Sequence, residues 1–391
     1  MELNRRHVLA ASLLPVLRPG TSRAKAFSKH GLWNNATGPH LRGAVITQRR
    51  VYPEIDGPEF LGPGPFGTPV SNAALQQLSA AGGNLLVLSH PGIFTENEPF
   101  ELDPDALANL DDLVTRARRW GLYVIIGFRT GPGRSAFTFH RDDAGSWFPA
   151  DMINERVWTD FAYHDAWEAM WRETARHFRN VENVAGYLLM VEPNANQVAV
   201  GPNGHDLEIW DAAELRRQVA RTPADWSQLA RRLSIAVRDT DPDTPVLISP
   251  DGYANSAFEA NLDLSADDPA VLCVHDYAPR DFTHQAMGDG RPYEPGEGRF
   301  EPPSHPRWCM GEFGLHRWAP GGDRYLTERV RDLERAGAGW AVFRWTSGWE
   351  IYERRENRFT VQAGGADDAL FRSLRRSWRY NRLRPDAGLR R

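Results

Sequence analysis

The 391 residues carry 46 Lys+Arg against 51 Asp+Glu, a formal net charge of −5, two cysteines and 41 % hydrophobic side chains. A chain of this length can bury a large core without disulfides or a structural metal. Its slightly acidic balance argues against a nucleic-acid binder driven by phosphate contacts. All but two of the basic residues, Lys25 and Lys29, are arginine, and we read this as a compositional bias without functional weight.

The first residues read as an address. Arg5-Arg6 precede a short apolar stretch interrupted by Pro15, and Ala24-Lys25-Ala26 closes it. Paired arginines, a modest apolar region and an Ala-x-Ala ending are the layout of a twin-arginine export signal. Cleavage is expected after Ala26, leaving 27–391 as a single domain exported folded to the periplasm or beyond. No later apolar run reaches the ~18–20 residues of a membrane span, so none is expected.

From residue 40 onward, eight short apolar runs recur: 43–47, 84–89, 122–128, 185–191, 245–249, 271–276, 308–312 and 340–345. Helical patterns lie between them, over 70–81, 104–120, 164–178, 223–240 and 323–336, with a weak one at 256–262. Pro104 and Pro223 stand at expected first-turn positions, and Gly82, Gly121 and Gly337 at expected helix ends. Near-continuous apolar strands alternating with helices imply a parallel sheet buried on both faces. Eight of them predict a (β/α)8 TIM barrel. The connections over 129–162, 193–222 and 277–306 are long, and in a barrel they rise from the C-terminal face, where active sites are built.

Two carboxylates stand at strand ends. Glu192 follows Tyr187-Leu-Leu-Met-Val191, and Glu312 follows Trp308-Cys-Met-Gly311. They belong to the fourth and seventh strands, whose ends can converge across a barrel mouth. Glycoside cleavage needs such a pair, one carboxyl to protonate the leaving oxygen and the other to attack the anomeric carbon. No H-E-x-x-H or G-x-S-x-G motif is present, which disfavours metalloprotease and serine-hydrolase chemistry. The adjacent His140-Arg141-Asp142-Asp143 lacks metal-ligand spacing, so we expect neither a metal nor a cofactor.

The motifs in order are Leu41-Arg42-Gly43, Gly83-Asn84-Leu85-Leu86, Gly121-Leu-Tyr-Val-Ile-Ile126, Val191-Glu192-Pro193, Val274-His275-Asp276-Tyr277 and Gly311-Glu312-Phe313-Gly314. Over about residues 40–350 they resemble glycoside hydrolase family 5, a family of retaining (β/α)8 glycosidases. The resemblance implies Glu192 as acid/base and Glu312 as nucleophile. It also implies His275 and Tyr277 as the sixth-strand His-x-Tyr pair, and Trp345 as the eighth-strand tryptophan flooring the sugar site. Val191 replaces the family's Asn before the acid/base, the second strand lacks its usual Arg, and Arg129 follows the third strand where histidine is common. Arg129, His90 and Asn194 complete the expected substrate contacts.

The expected partner is an oligosaccharide or polysaccharide carrying a β-glycosidic bond, cleaved through a covalent glycosyl-enzyme intermediate. Two alternatives follow from the same residues: a non-catalytic glycan-binding barrel, favoured by Val191, and a transglycosylase. Cys273, two residues before His275, should face the barrel interior, while Cys309, three before Glu312, should face outward. Two free buried thiols are expected.

Overall fold

Period-two burial organises the sheet. Along Leu85–Pro91, Leu85 and Val87 join one apolar cluster while Leu86 and Leu88 join another. The computed structural model describes residues 28–58, 64–67, 70–198, 201, 206–265, 267–345, 358–361 and 368–385. The expected N-terminal export signal lies outside them.

Eight parallel strands form a closed barrel. They are β1 (Arg42–Thr47), β2 (Leu85–Pro91), β3 (Tyr123–Thr130), β4 (Val184–Leu188), β5 (Val246–Ile248), β6 (Val271–His275), β7 (Trp308–Glu312) and β8 (Gly339–Val342). Each strand pairs with its sequence neighbour, and β1 closes the ring on β8 through Arg42–Trp340 and Gly43–Ala341. All eight expected runs are therefore strands of a (β/α)8 TIM barrel.

The longer helices among the described residues are α1 (Asn72–Ala80), α2 (Pro104–Arg119), α3 (Phe161–Phe178), α4 (Ala212–Val219), α5 (Trp226–Thr240), α6 (Gly322–Arg335) and α7 (Ala369–Trp378). Side-chain caps explain several starts: Asp103 accepts from the amides of Asp105 and Ala106, with Pro104 at the first helical position. The start expected at Pro223 falls three residues later, because Asp225 accepts from the Gln228 amide and caps Trp226–Thr240. Gly82, Gly121 and Gly337 end their helices with φ of 103°, 66° and 68°, the left-handed conformation glycine adopts without strain. The weak pattern at 256–262 is a 3-10 helix, Ser256–Leu262. Helices α4 and α7 were not anticipated.

Two cores result. The interior cluster holds Val45, Leu85, Val87, Ile125, Ala185, Leu247, Val271, Cys273 and Cys309, and Trp33 closes its lower end. The Trp33 indole donates to the Ala185 carbonyl at 2.8 Å, so the segment before β1 plugs the barrel. The larger cluster fills the layer between strands and helices.

Cys309 corrects the register reading. It pairs with Cys273 on the adjacent strand and faces the interior, because β7 carries an irregularity that sets Glu312, rather than Gly311, opposite His275. The extra residue breaks the alternation and lets Cys309 and Glu312 share the inner side. A side chain at Gly311 would put its Cβ 2.5 Å from Cys273 Sγ and 2.9 Å from His275 Nε2, so this position needs glycine. Both thiols are buried and unbridged.

Candidate active site

Glu192 stands just past β4 in a backbone conformation that few residues other than glycine adopt, with φ of 53°. Such strain persists only where the surroundings over-determine it. The surroundings here are Arg134, fully buried on the loop after β3. Its guanidinium donates to the carbonyls of Arg129 at 2.6 Å, Val191 at 2.9 Å and Glu192 at 2.6 Å, and to Asn194 Oδ1 at 3.2 Å. Five donors in a rigid fork make arginine suited to gathering several carbonyls at once.

The side chains meet as the strand ends suggested. His275 Nδ1 donates to Glu192 Oε1 at 3.1 Å and lies 3.5 Å from Glu312 Oε2. The Tyr277 hydroxyl donates to Glu312 Oε2 at 2.9 Å. Arg129 Nη1 reaches Glu192 Oε2 at 3.4 Å, and the Arg129 guanidinium lies 3.6 Å from the centre of the Phe139 ring. One oxygen of each carboxylate and a nitrogen of His275 lie within 4.8 Å of one another, close enough to share a proton or to hold an ion.

The electrostatics distinguish the two carboxyls. Burial pushes Glu192 up, but the hydrogen bond from His275 and the charge of Arg129 outweigh it and hold Glu192 below the usual carboxylate range. Glu312 is pushed up to about 7, first by burial and then by the charge of Glu192, against the pull of His275. Burial lowers His275, yet the two carboxylates and Cys273 carry it well above its ordinary value. Burial and the Glu312 charge keep Tyr277 a proton donor. In the free site the surroundings thus favour the ionised form of Glu192 and the neutral form of Glu312.

Three expected substrate contacts are placed elsewhere. His90 is fully buried, with Nδ1 against the Pro91 carbonyl at 2.6 Å and Nε2 against Asn109 Oδ1 of α2 at 2.9 Å. It follows Leu86 and Leu88 onto the helix-facing side of β2, so its ring points away from the mouth. Trp345 is also fully buried; its indole donates to the Ala74 carbonyl of α1 at 2.8 Å and its ring meets Trp378 of α7. The strand ends at Val342, alternation stops, and the chain turns this tryptophan into the outer core. Asn194 is buried and accepts from Arg134 and from the Trp158 indole, which makes it scaffold.

Sequence reasoning missed two residues near the carboxylates, Phe343 and Arg134. Phe343 is half-buried, packs on the interior cluster, and brings its ring to 6.3 Å from Tyr277 and 5.2 Å from Phe359. Alternation from Ala341 was the available signal for it. Arg134 had none, since its partners are oxygens of β3 and of the segment after β4, brought together only in the fold. On the loops after β1, β2 and β3, a cavity of about 270 Å³ is lined by Tyr52, Glu96, Phe137 and Asn154, among others.

Residues 59–319 match the family described as Cellulase (glycosyl hydrolase family 5). No curated protein matches the sequence. Among solved structures, a protein described as a glycoside hydrolase is similar at 16 % identity and a TM-score of 0.62, covering 86 % of this chain and 99 % of its own. Endoglucanase Cel5A from the hyperthermophilic Thermotoga maritima aligns at 16 % identity and a TM-score of 0.57, over 88 % of this chain and 99 % of its own. The Thermotoga maritima Cel5A complex with mannotriose aligns at 16 % identity and a TM-score of 0.55, over 87 % of this chain and 98 % of its own. At this level of identity these likenesses speak to the barrel alone.

Proposed function

The chain belongs to glycosyl hydrolase family 5 and is a glycoside hydrolase, and from that premise we propose that it cleaves a β-glycosidic bond with retention, Glu312 attacking and Glu192 moving the proton. The observation that carries this reading is the separation of the two carboxylates. An oxygen of each lies within 4.8 Å of the other. Retaining enzymes hold their carboxyls ~5–5.5 Å apart, whereas inverting ones need ~6.5–9.5 Å to admit a water.

In the first step a Glu312 oxygen bonds to the anomeric carbon as the glycosidic C–O bond breaks, and Glu192 gives its proton to the departing oxygen. In the second, Glu192 takes a proton from water, the hydroxyl bonds to the anomeric carbon, and Glu312 leaves as carboxylate. Glu312 must therefore lose, and Glu192 gain, a proton before attack. His275, in reach of both carboxylates, is placed to carry that transfer. The hydrogen bond from Tyr277 favours the ionised nucleophile.

Cel5A of Thermotoga maritima was crystallised with mannotriose and with cellobiose, and we take β-linked glucan or mannan chains as the first substrates to test. The Arg5-Arg6 signal supports export to the periplasm or beyond as the place of action. Trapping with a fluorinated activated glycoside, followed by peptide mapping, should place the label on Glu312. Label on another residue in an enzyme that still turns over, or saturable oligosaccharide binding with no reducing ends released, would overturn the reading.

A further inference from the structure

The loop after β4 returns as a short antiparallel pair, Gln197–Val198 with Leu207–Glu208, and carries Trp210 beyond it. Trp210 is half-exposed, at 52 %, a large apolar ring left in solvent. It is nonetheless held in place. Its indole donates to Glu208 Oε1 at 2.5 Å; Gln197 Nε2 donates to Glu208 Oε2 at 2.8 Å; and the Tyr253 hydroxyl donates to Gln197 Oε1 at 2.7 Å. The chain of bonds ends where the rings meet, with Trp210 stacked on Tyr253 at 6.3 Å between centres and 21° between planes.

Tyr253 itself is set by strained backbone: Gly252, Tyr253 and Ala254 all have positive φ, at 63°, 62° and 65°. Its amide donates to the carbonyl of Pro193, the residue after Glu192, at 2.9 Å. Its other neighbour is Phe139, edge-on at 6.4 Å, which in turn lies under Arg129. A row of rings thus runs from the proton-donating carboxylate outward to solvent. Left-handed backbone at a non-glycine residue costs free energy and is retained mainly at functional sites. An exposed tryptophan fixed by a polar chain presents a flat apolar face at little further cost in side-chain entropy, which suits the apolar face of a pyranose.

We infer that Trp210, backed by Tyr253, is the stacking platform for the first sugar of the leaving group, and so determines specificity for substrates that extend beyond the cleaved bond. This rests on Glu192 being the proton donor, because the group that departs must lie on the donor's side of that bond. A platform there favours cleavage within chains over release of small aglycones.

The test compares two substrates for each variant: cellotetraose or mannotetraose, whichever the wild type cleaves, and the matching disaccharide β-fluoride, whose leaving group has no ring to stack. Trp210→Ala should lower kcat/KM on the tetrasaccharide about tenfold, the range of one aromatic contact, and leave the fluoride unchanged. Trp210→Phe should keep most tetrasaccharide activity, and Gln197→Leu, which cuts the polar chain, should lose part of it. Equal losses on both substrates, no loss on either, or a Trp210→Phe variant as weak as Trp210→Ala would overturn the platform. Wild-type protein inert toward both fluorides and both tetrasaccharides would instead overturn the β-glycan reading on which it rests.

Discussion

The Arg134 guanidinium donates to the backbone carbonyl of Glu192 at 2.6 Å, and Glu192, just past β4, has φ of 53°. A buried cation thereby holds a left-handed turn that aims the carboxylate into the mouth. Arg134→Lys keeps the charge and loses the fork. A misplacement of about 1 Å at a reacting group is worth on the order of 100-fold in rate. We expect kcat to fall roughly 10- to 100-fold with a smaller change in KM, measured by steady-state kinetics on the preferred glycan. An unchanged kcat would show that the turn holds itself.

Activity should rise with pH through neutrality. In the proposed mechanism Glu312 attacks only as carboxylate, and burial, which disfavours the charge, pushes it up to about 7 in the free site. The acid limb of kcat/KM should therefore have its midpoint near 7. Tyr277→Phe removes the 2.9 Å bond to Glu312, and hydrogen bonds to charged groups contribute about 1.5–3 kcal/mol. This variant should move the acid limb to higher pH as well as lower kcat, and a pH–rate profile reads both. A limb that stays in place would remove Tyr277 from the ionisation of Glu312.

Glu192→Ala should separate the two chemical steps. General acid–base catalysis contributes about 10²–10⁴-fold, so cleavage of an oligosaccharide should fall by that order. An activated aryl glycoside needs no proton on its leaving group, so its first step should survive. Added azide should then restore turnover and give a β-glycosyl azide, detectable by NMR. An α-azide product would contradict retention.

Away from the mouth, Arg42 of β1 clasps Glu334 of α6 through two hydrogen bonds, at 2.6 and 2.5 Å, and the Trp340 indole of β8 donates to the same carboxylate at 2.8 Å. The trio ties the seam where the barrel closes. Burial would raise Glu334, but the Arg42 bonds win and bring it down to about 2. A carboxylate depressed on folding stabilises the fold above its unfolded value of ~4.3. That contribution is lost as pH falls from there toward about 2. Glu334→Gln should cost about 1–3 kcal/mol at pH 7, with the gap to wild type narrowing below pH ~4. Urea unfolding at the two pH values measures it, and a gap independent of pH would refute the ion-pair account.

The strands and the two glutamates were legible because each leaves a local trace. An apolar run bounded by turns reads as a buried strand wherever it sits, and a carboxylate directly after such a run reads as a strand-end group. Misplaced residues fall where local pattern stops. His90 was open to correction from alternation along its own strand. Trp345 was not, since it lies past the end of β8, where direction is set by contact with α1 and α7. Arg134 and Trp210 lie on long loops without periodicity, and their roles depend on partners from other loops.

Amino-acid order alone thus determined an eight-stranded barrel and the pair of acids at its rim, because hydrogen-bonded strands impose a two-residue rhythm that side chains must obey. Only the closed structure decided that Glu192 and Glu312, 120 positions apart, share one histidine, and that their surroundings push the two carboxyls in opposite directions. Those outcomes come from burial and from charges that meet across the ring, and neither quantity exists until the ring has closed.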